Sequence, residues 1–246
     1  MKNSLFILAL LLFAMTGGCN IDIITTSIPE PDQLTGSWSG TMQDGQGAMH
    51  LVTLSFNRKG EITRHLVDGV ETGRRGYATG PNSTGTLFAL KWNDGTLGGI
   101  LTNREYTHAA FLDQDFIVGS LEKNAAAYLP YTVEDIIQPF WSGHYLLLDG
   151  DFNFLSSGGA LLEVALDRRF NGTDGDGRVY AETAVIDLTD SFHGRYEGAY
   201  QNEDDASDAG PLVAFLTPDK THAAAYTCSP DETGFPDGCR FYLFNK

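Results

Sequence analysis

Through most of the chain, apolar and polar residues alternate with a period of two, the signature of strands with one buried face. His50, Val52, Leu54 and Phe56 interleave with Leu51, Thr53, Ser55 and Asn57, and the run stops at the turn-forming Arg58-Lys59-Gly60. A return strand over 61–67 ends at Asp68-Gly69. The same alternation predicts strands over 73–79, 86–92, 97–102, 107–112 and 116–122, with Asn93-Asp94-Gly95 as a hairpin turn. Turn residues recur every 8–12 residues or so, which predicts an all-β fold, a sandwich or barrel of short antiparallel strands.

The pattern then starts again. Trp38-Ser39-Gly40 returns 103 positions on as Trp141-Ser142-Gly143. Gly99-Ile100-Leu101-Thr102-Asn103 is echoed 99 on by Gly198-Ala199-Tyr200-Gln201-Asn202. Ala110-Phe111-Leu112 with Asp115 is echoed 104 on by Ala214-Phe215-Leu216 with Asp219, and the acidic insertion Glu203-Asp204-Asp205-Ala206-Ser207-Asp208 accounts for the drift. These matches predict a tandem repeat of two antiparallel β-barrel or β-sandwich units of about 100 residues each. A fourth match, Thr107-His108-Ala109-Ala110 with Thr221-His222-Ala223-Ala224, lies 114 apart and conflicts with the 104 register, so the repeat is not drawn on it. The units are placed at 34–128 and 140–246, joined by a linker at 129–139. There Thr132, Glu134 and Asp135 suggest an N-cap and one or two helical turns stopped by Pro139.

The one long apolar run stands at the start. Lys2 precedes an unbroken apolar stretch over 5–15, then Thr16, Gly17 and Gly18 lead into Cys19. Eleven residues fall well short of the ~20 that span a bilayer as a helix, and the arrangement is that of a secretory signal over 1–18. It resembles a bacterial lipoprotein signal, although Thr16 stands where that pattern usually has leucine. The resemblance implies cleavage before Cys19, lipidation of its thiol and new amino group, and a lipid-anchored tether over 19–33 containing Pro29 and Pro31. It places the protein in the bacterial cell envelope, at the outer membrane, with the membrane as a partner through the N-terminal lipid.

Charge and cysteines narrow the picture. Sixteen basic against 32 acidic residues give a net charge of −16, which argues against nucleic acid and against electrostatic binding to anionic lipid. Hydrophobic residues at 42% and aromatics at 11% suffice for a packed core. If Cys19 carries lipid, Cys228 and Cys239 remain, flanking a loop with Pro230, Gly234, Pro236 and Gly238. In an oxidising compartment this pair is expected as a structural disulfide. Zinc would need two further ligands nearby, and the sequence offers none.

Candidate chemistry is sparse. There is no Gly-x-Ser-x-Gly elbow, and His50, His65, His108, His144, His193 and His222 are scattered without metal-ligand spacing. Asp149-Gly150-Asp151-Phe152-Asn153 lacks the glycine and glutamate of a calcium loop, and Asn171-Gly172-Thr173-Asp174-Gly175-Asp176-Gly177 reads as a hairpin turn. No cofactor or metal is expected. Gly36-Ser37-Trp38 resembles the Gly-x-Trp of the lipocalin and wider calycin families, whose first barrel strand places a tryptophan across the closed end of a ligand-binding barrel. The ~100-residue unit is closer in size to an avidin-like barrel. Barrels on a lipid tether also resemble, in architecture, surface lipoproteins of the transferrin-binding-protein type.

The expected function is that of an exported, lipid-anchored, non-catalytic binding module holding a small apolar or envelope-derived ligand. Trp38 and Trp141 are read as core residues closing each unit, or as ligand-lining residues in the sharper reading. The alternative is a structural or surface protein-interaction lipoprotein with filled barrels and an envelope-protein partner. A carboxylate-dependent hydrolase is the third reading. Cavity volume separates the first two.

Overall fold

The computed structural model of the chain describes residues 31–81, 85–115, 117–125, 130–148, 154–175, 177–230 and 236–246. The signal segment, Cys19, most of the tether and the 149–153 loop lie outside the described residues.

Both halves are antiparallel β. The first unit runs β1 (Gly36–Gln43), β2 (Met49–Phe56), β3 (Ile62–Val67), β4 (Val70–Glu71), β5 (Gly76–Pro81), β6 (Leu87–Trp92), β7 (Leu97–Thr102), β8 (His108–Asp113) and β9 (Val118–Lys123). The second runs β10 (Gln138–Leu148), β11 (Phe154–Val164), β12 (Phe170–Asp174), β13 (Val179–Asp190), β14 (Arg195–Asn202), β15 (Ala209–Leu216), β16 (His222–Pro230) and β17 (Pro236–Asn245). Expected strands at 86–92, 97–102, 107–112 and 116–122 coincide with β6 to β9 within two residues. The strand expected at 73–79 starts only at Gly76, because Arg74 and Arg75 belong to the connection from β4 to β5.

The first unit is a curled nine-stranded sheet in the order β4-β3-β2-β1-β9-β8-β7-β6-β5, and the second is a closed eight-stranded barrel. The difference lies in one place. Where the second unit has the continuous, bulged, twelve-residue β13, the first has two-residue β4, a loop, and six-residue β5. A single bridge, Glu61 to Tyr77, links the two margins of the open sheet. The helical turns expected after Thr132 shrink to a three-residue 3-10 turn, Val133–Asp135, in which Asp135 accepts from the Thr132 amide at 2.7 Å.

The repeated Trp-Ser-Gly has a physical reason. Each motif sits on the first strand of its unit, where that strand meets the last one of the same sheet. A Cβ on Gly40 would lie 1.8 Å from the Ser120 carbonyl oxygen, and one on Gly143 2.0 Å from that of Leu243. Only glycine admits so close an approach. Trp38 and Trp141 plug the corresponding ends, each donating its indole N–H to a carbonyl of the preceding 3-10 segment, Leu34 at 2.7 Å and Ile136 at 2.9 Å. Lys123 and Lys246 lie over these rings at 5.5 and 5.3 Å.

Neighbour order equates β9 with β17, β8 with β16, β7 with β15 and β6 with β14. The equivalence overturns the register expected from two sequence matches. Ala110-Phe111-Leu112 lies on β8 and Ala214-Phe215-Leu216 on β15, one strand out of step; Gly99 lies on β7 and Gly198 on β14, also one strand off. The match set aside is the structural one. Asn103 accepts from Tyr106 and donates its amide to His108 O at 3.0 Å; Thr217 accepts from Lys220 and donates to His222 O at 2.9 Å. Tyr106 and Lys220 share the left-handed conformation, at φ 54° and 60°. The misleading matches have a cause: β8 and the end of β15 are buried on both faces, so both read as continuous apolar runs.

That double burial marks the seam between the units. Besides a core in each, a third apolar cluster joins Leu101, Leu112 and Val118 of the first unit to Leu146, Phe215 and Phe241 of the second. Equivalent strands meet reciprocally: β8 on β16, β8 on β17 as β9 on β16, and β7 on β17 as β9 on β15. The contact has the form of an isologous dimer interface within one chain. The first unit expressed alone, residues 31–125, is therefore expected to precipitate or bind a hydrophobic dye, whereas the whole chain unfolds in one transition in urea. Paired circular-dichroism and dye-binding measurements check this.

Candidate functional site

Among the described residues, the interiors of both units are tightly packed. In the second unit Trp141, Tyr145, Phe170, Tyr196, Tyr200 and Tyr242 pack together with Leu162 and Leu212. In the first, Trp38, Phe88, Trp92 and Phe111 pack with Leu54, Leu90 and Leu121. The internal cavities have about 30 Å³ in the second unit and about 60 Å³ in the first. Small-molecule pockets commonly need ~300–1,000 Å³. Trp38 and Trp141 border neither cavity.

Polar groups gather instead at the end of each unit opposite its tryptophan plug. In the first, the connection from β4 to β5 carries Arg74 across the mouth. Its guanidinium lies 4.1 Å from the centre of the Trp92 ring and reaches Asp94 at 3.2 Å, Asp113 at 3.4 Å and Asp115 at 3.4 Å. Asp113 is fully buried at the end of β8, and burial pushes its carboxyl up to about 6 against the Ile117 amide and Arg74, which pull it down. His65 stands 5.4 Å from Trp92, with Thr72 Oγ1 2.8 Å from its Nδ1. Burial first, then the charges of Arg74 and Arg75, push it down to about 4, so it is neutral at pH 7. At the rim His50 bridges Asp68 at 2.8 Å and Asp44 at 3.4 Å, and the Asp68 hydrogen bond leads the effects that raise its pKa.

In the second unit, buried Arg240 on β17 does the equivalent work. It approaches Asp208 at 3.3 Å and Asp174 at 3.8 Å, and the Tyr180 hydroxyl donates to Asp174 at 3.0 Å. The carboxylates at both mouths thus converge on an arginine rather than flanking open space for a sugar, which is the arrangement glycosidase chemistry needs.

A third polar cluster lies on the seam. His108 and His222, equivalent residues of the two units, stack with ring centres 3.7 Å apart and planes 13° from parallel. Asp219 accepts from or pairs with His108 Nε2 at 2.9 Å, and its amide donates to Glu122 at 2.9 Å. Burial raises Asp219, but hydrogen bonds from Thr221 and Thr217 outweigh it and hold the carboxyl below the usual range. Burial and the neighbouring His108 push His222 down to about 4. Ligand atoms of His108, Asp219 and His222 lie within 4.8 Å of one another. Imidazole lone pairs lie in the ring plane, however, and two parallel planes cannot both aim at one ion. The cluster fits an interlocking contact between units better than a metal centre.

Sequence reasoning reached few of these residues. The signals present were the Arg74-Arg75 doublet in a strongly acidic chain and the Thr-His-Ala-Ala repeat. The register sets Cys228 directly opposite Cys239 on β16 and β17.

No family model matches the sequence, and no curated protein matches it. Among solved structures, the chain is similar to a protein of unknown function of the DUF3598 family from Nostoc punctiforme, at 12% identity and a TM-score of 0.40, covering 87% of this chain and 96% of that one. It is also similar to the vaccine antigen transferrin binding protein B, as a Trp-176-Ala mutant from Haemophilus parasuis, at 7% identity and a TM-score of 0.43. That alignment covers 85% of this chain but only 44% of the other. At these values neither likeness carries a family or a function over to this chain.

Removing Arg74 would leave the Asp113 carboxylate buried without its counter-charge, which costs about 3 kcal/mol. R74A is accordingly expected to lose that much stability at pH 7. Arg74 lowers the Asp113 pKa, so without it the carboxyl takes up its proton above the value of about 6 that it has beside the arginine, and the deficit shrinks as the pH falls toward 6. Urea unfolding of R74A and of R74A/D113N at pH 7 and pH 5 measures it, with the double variant recovering most of the loss at pH 7.

Proposed function

We propose that the chain works as an exported, lipid-anchored interaction protein of the bacterial envelope. In this reading Cys19 carries the anchor, Cys228 and Cys239 form a structural disulfide, and no covalent chemistry is performed. The observation that carries it is the packing of both units: among the described residues their interiors hold cavities of about 30 and 60 Å³, too small for the apolar ligand of a lipocalin-like barrel. Of the two expected binding readings, the protein-interaction one is therefore preferred over the carrier.

The outer surface supplies a place for contact. Leu166 in the turn from β11 to β12 and Phe192 in the turn from β13 to β14 are 88% and 58% exposed. Phe140, near the start of β10, is 70% exposed. In an up-and-down barrel these three positions share one end, the one plugged by Trp141. Large apolar side chains held outward on turn tips of an acidic protein favour a protein partner over lipid headgroups or nucleic acid.

A photo-crosslinking residue placed at 166 or 192 in cells is expected to trap one discrete protein, whereas the same residue at Thr96, at the opposite end of the first unit, traps none. Uniform labelling at all three sites, or none at 166 and 192, would count against the proposal.

A further inference from the structure

One of the reciprocal pairs across the seam differs between its two sides in a way that opens space. On one side of the seam, Arg195 Nε donates to Gln43 Oε1 at 2.8 Å and closes the contact. Strand register makes Leu87 the counterpart of Arg195, since each pairs with its equivalent on the next strand, Leu101 and Phe215. The counterpart of Gln43, by the 103-residue offset of the first strands, is Leu146. Thus where one side has a bond between polar side chains, the other has the apolar side chains of Leu87 and Leu146. The units stand apart there, and a cleft of about 220 Å³ opens, larger than both barrel cavities together.

The lining is of two kinds. Leu87, Leu101 and Leu146 form an apolar floor continuous with the seam cluster. Arg104, His144 and Ser157 also line the cleft, and among the described residues none of their side chains makes a hydrogen bond or ion pair. Arg74, Arg168, Arg178 and Arg240 are held by carboxylates, whereas Arg104, like the exposed Arg58 and Arg64, has no ion pair among the described residues, and of these three it alone lines the cleft. In a chain of net charge −16, an arginine left unpaired at the mouth of an apolar cleft is a local attractor for anions.

We infer that this cleft between the units is a binding site for a small amphipathic anion, a carboxylate on a short apolar tail. Arg104 takes the carboxylate through its planar guanidinium, His144 and Ser157 offer further donors, and the tail lies on Leu87, Leu101 and Leu146. The site is independent of any protein partner at the Trp141 end of the second unit.

The test is calorimetric titration of the full chain with hexanoate, with hexylamine and acetate as controls. Hexanoate is expected to bind, hexylamine and acetate not measurably. Loss of a charge-assisted hydrogen bond should weaken hexanoate about tenfold or more in R104A. A second variant fills the cleft instead of removing charge. A Cβ on Gly159 meets only the Gly143 carbonyl oxygen at 3.9 Å, so G159V folds without a clash and is expected to abolish binding while leaving the melting temperature unchanged. Binding of hexylamine as tight as hexanoate, an R104A variant that binds like the parent, or no heat with hexanoate at all would each overturn the assignment. Inorganic phosphate competing as well as hexanoate would overturn the role given to the apolar floor.

Discussion

The structure depends on a wall that must be apolar on both faces. β8 has every residue buried, and the far half of β15 likewise, because each serves one barrel core on its inner face and the other unit on its outer face. Strands buried on both sides lose the alternation that tells a half-buried strand which way to face. Here the register is held by other means. Equivalent turns carry equivalent histidines to the same point, and the stacked pair of His108 and His222, with Asp219 and Glu122 beside it, fixes how one unit sits on the other. Burial keeps the His222 ring neutral well below pH 7, so it stacks on His108 without bringing a charge of its own into the seam.

Within each unit, ends rather than walls set the differences. The tryptophan end is the same twice over: a 3-10 segment, an indole bonded to its carbonyl, a lysine above the ring and a glycine where the first strand presses on the last. The opposite end is solved in two ways. In the second unit β13 continues unbroken, the barrel closes, and an arginine on β17 is drawn inward to two aspartates. In the first the corresponding strand is interrupted, the sheet stays open, and an arginine from the interruption itself covers the mouth. Either way a buried carboxylate demands a cation, and the arginine that answers it blocks the entrance. Each unit thus has one end plugged by tryptophan and the other covered by arginine.

Much of the fold was legible in the sequence, for identifiable reasons. The period-two pattern located most strands of the first unit, and Asn93-Asp94-Gly95 marked its turn, because one face of each strand is solvated and the turns need particular residues. Trp38-Ser39-Gly40 announced the duplication because its tryptophan and glycine meet fixed demands of plug and close approach. The register of the repeat was misjudged where strands are apolar on both faces, since Ala110-Phe111-Leu112 and Ala214-Phe215-Leu216 answer a common environment and not a common position. The true correspondence lay in Thr107-His108 and Thr221-His222, polar residues whose identities are fixed by a turn and a contact. The mouth cluster was hidden for a different reason: Arg74, Trp92 and Asp113 come from three separate segments, and no local spacing links them.

The cleft beside the seam follows from duplication itself. A symmetric interface between two copies is complete only while both copies keep complementary residues at each equivalent pair. Divergence at one such pair, Gln43 with Arg195 on one side and Leu146 with Leu87 on the other, leaves one contact bonded and the other merely apolar. The apolar side gains nothing from closing further unless the leucines meet across it, and Gly158 and Gly159 on β11 supply no side chains to bridge the space. What opens is a concave surface that neither unit possesses alone, with Arg104 at its rim held by no carboxylate among the described residues. Filled barrels hold that surface rigid, so the packing that rules out the barrel interiors is also what would preorganise a site between them.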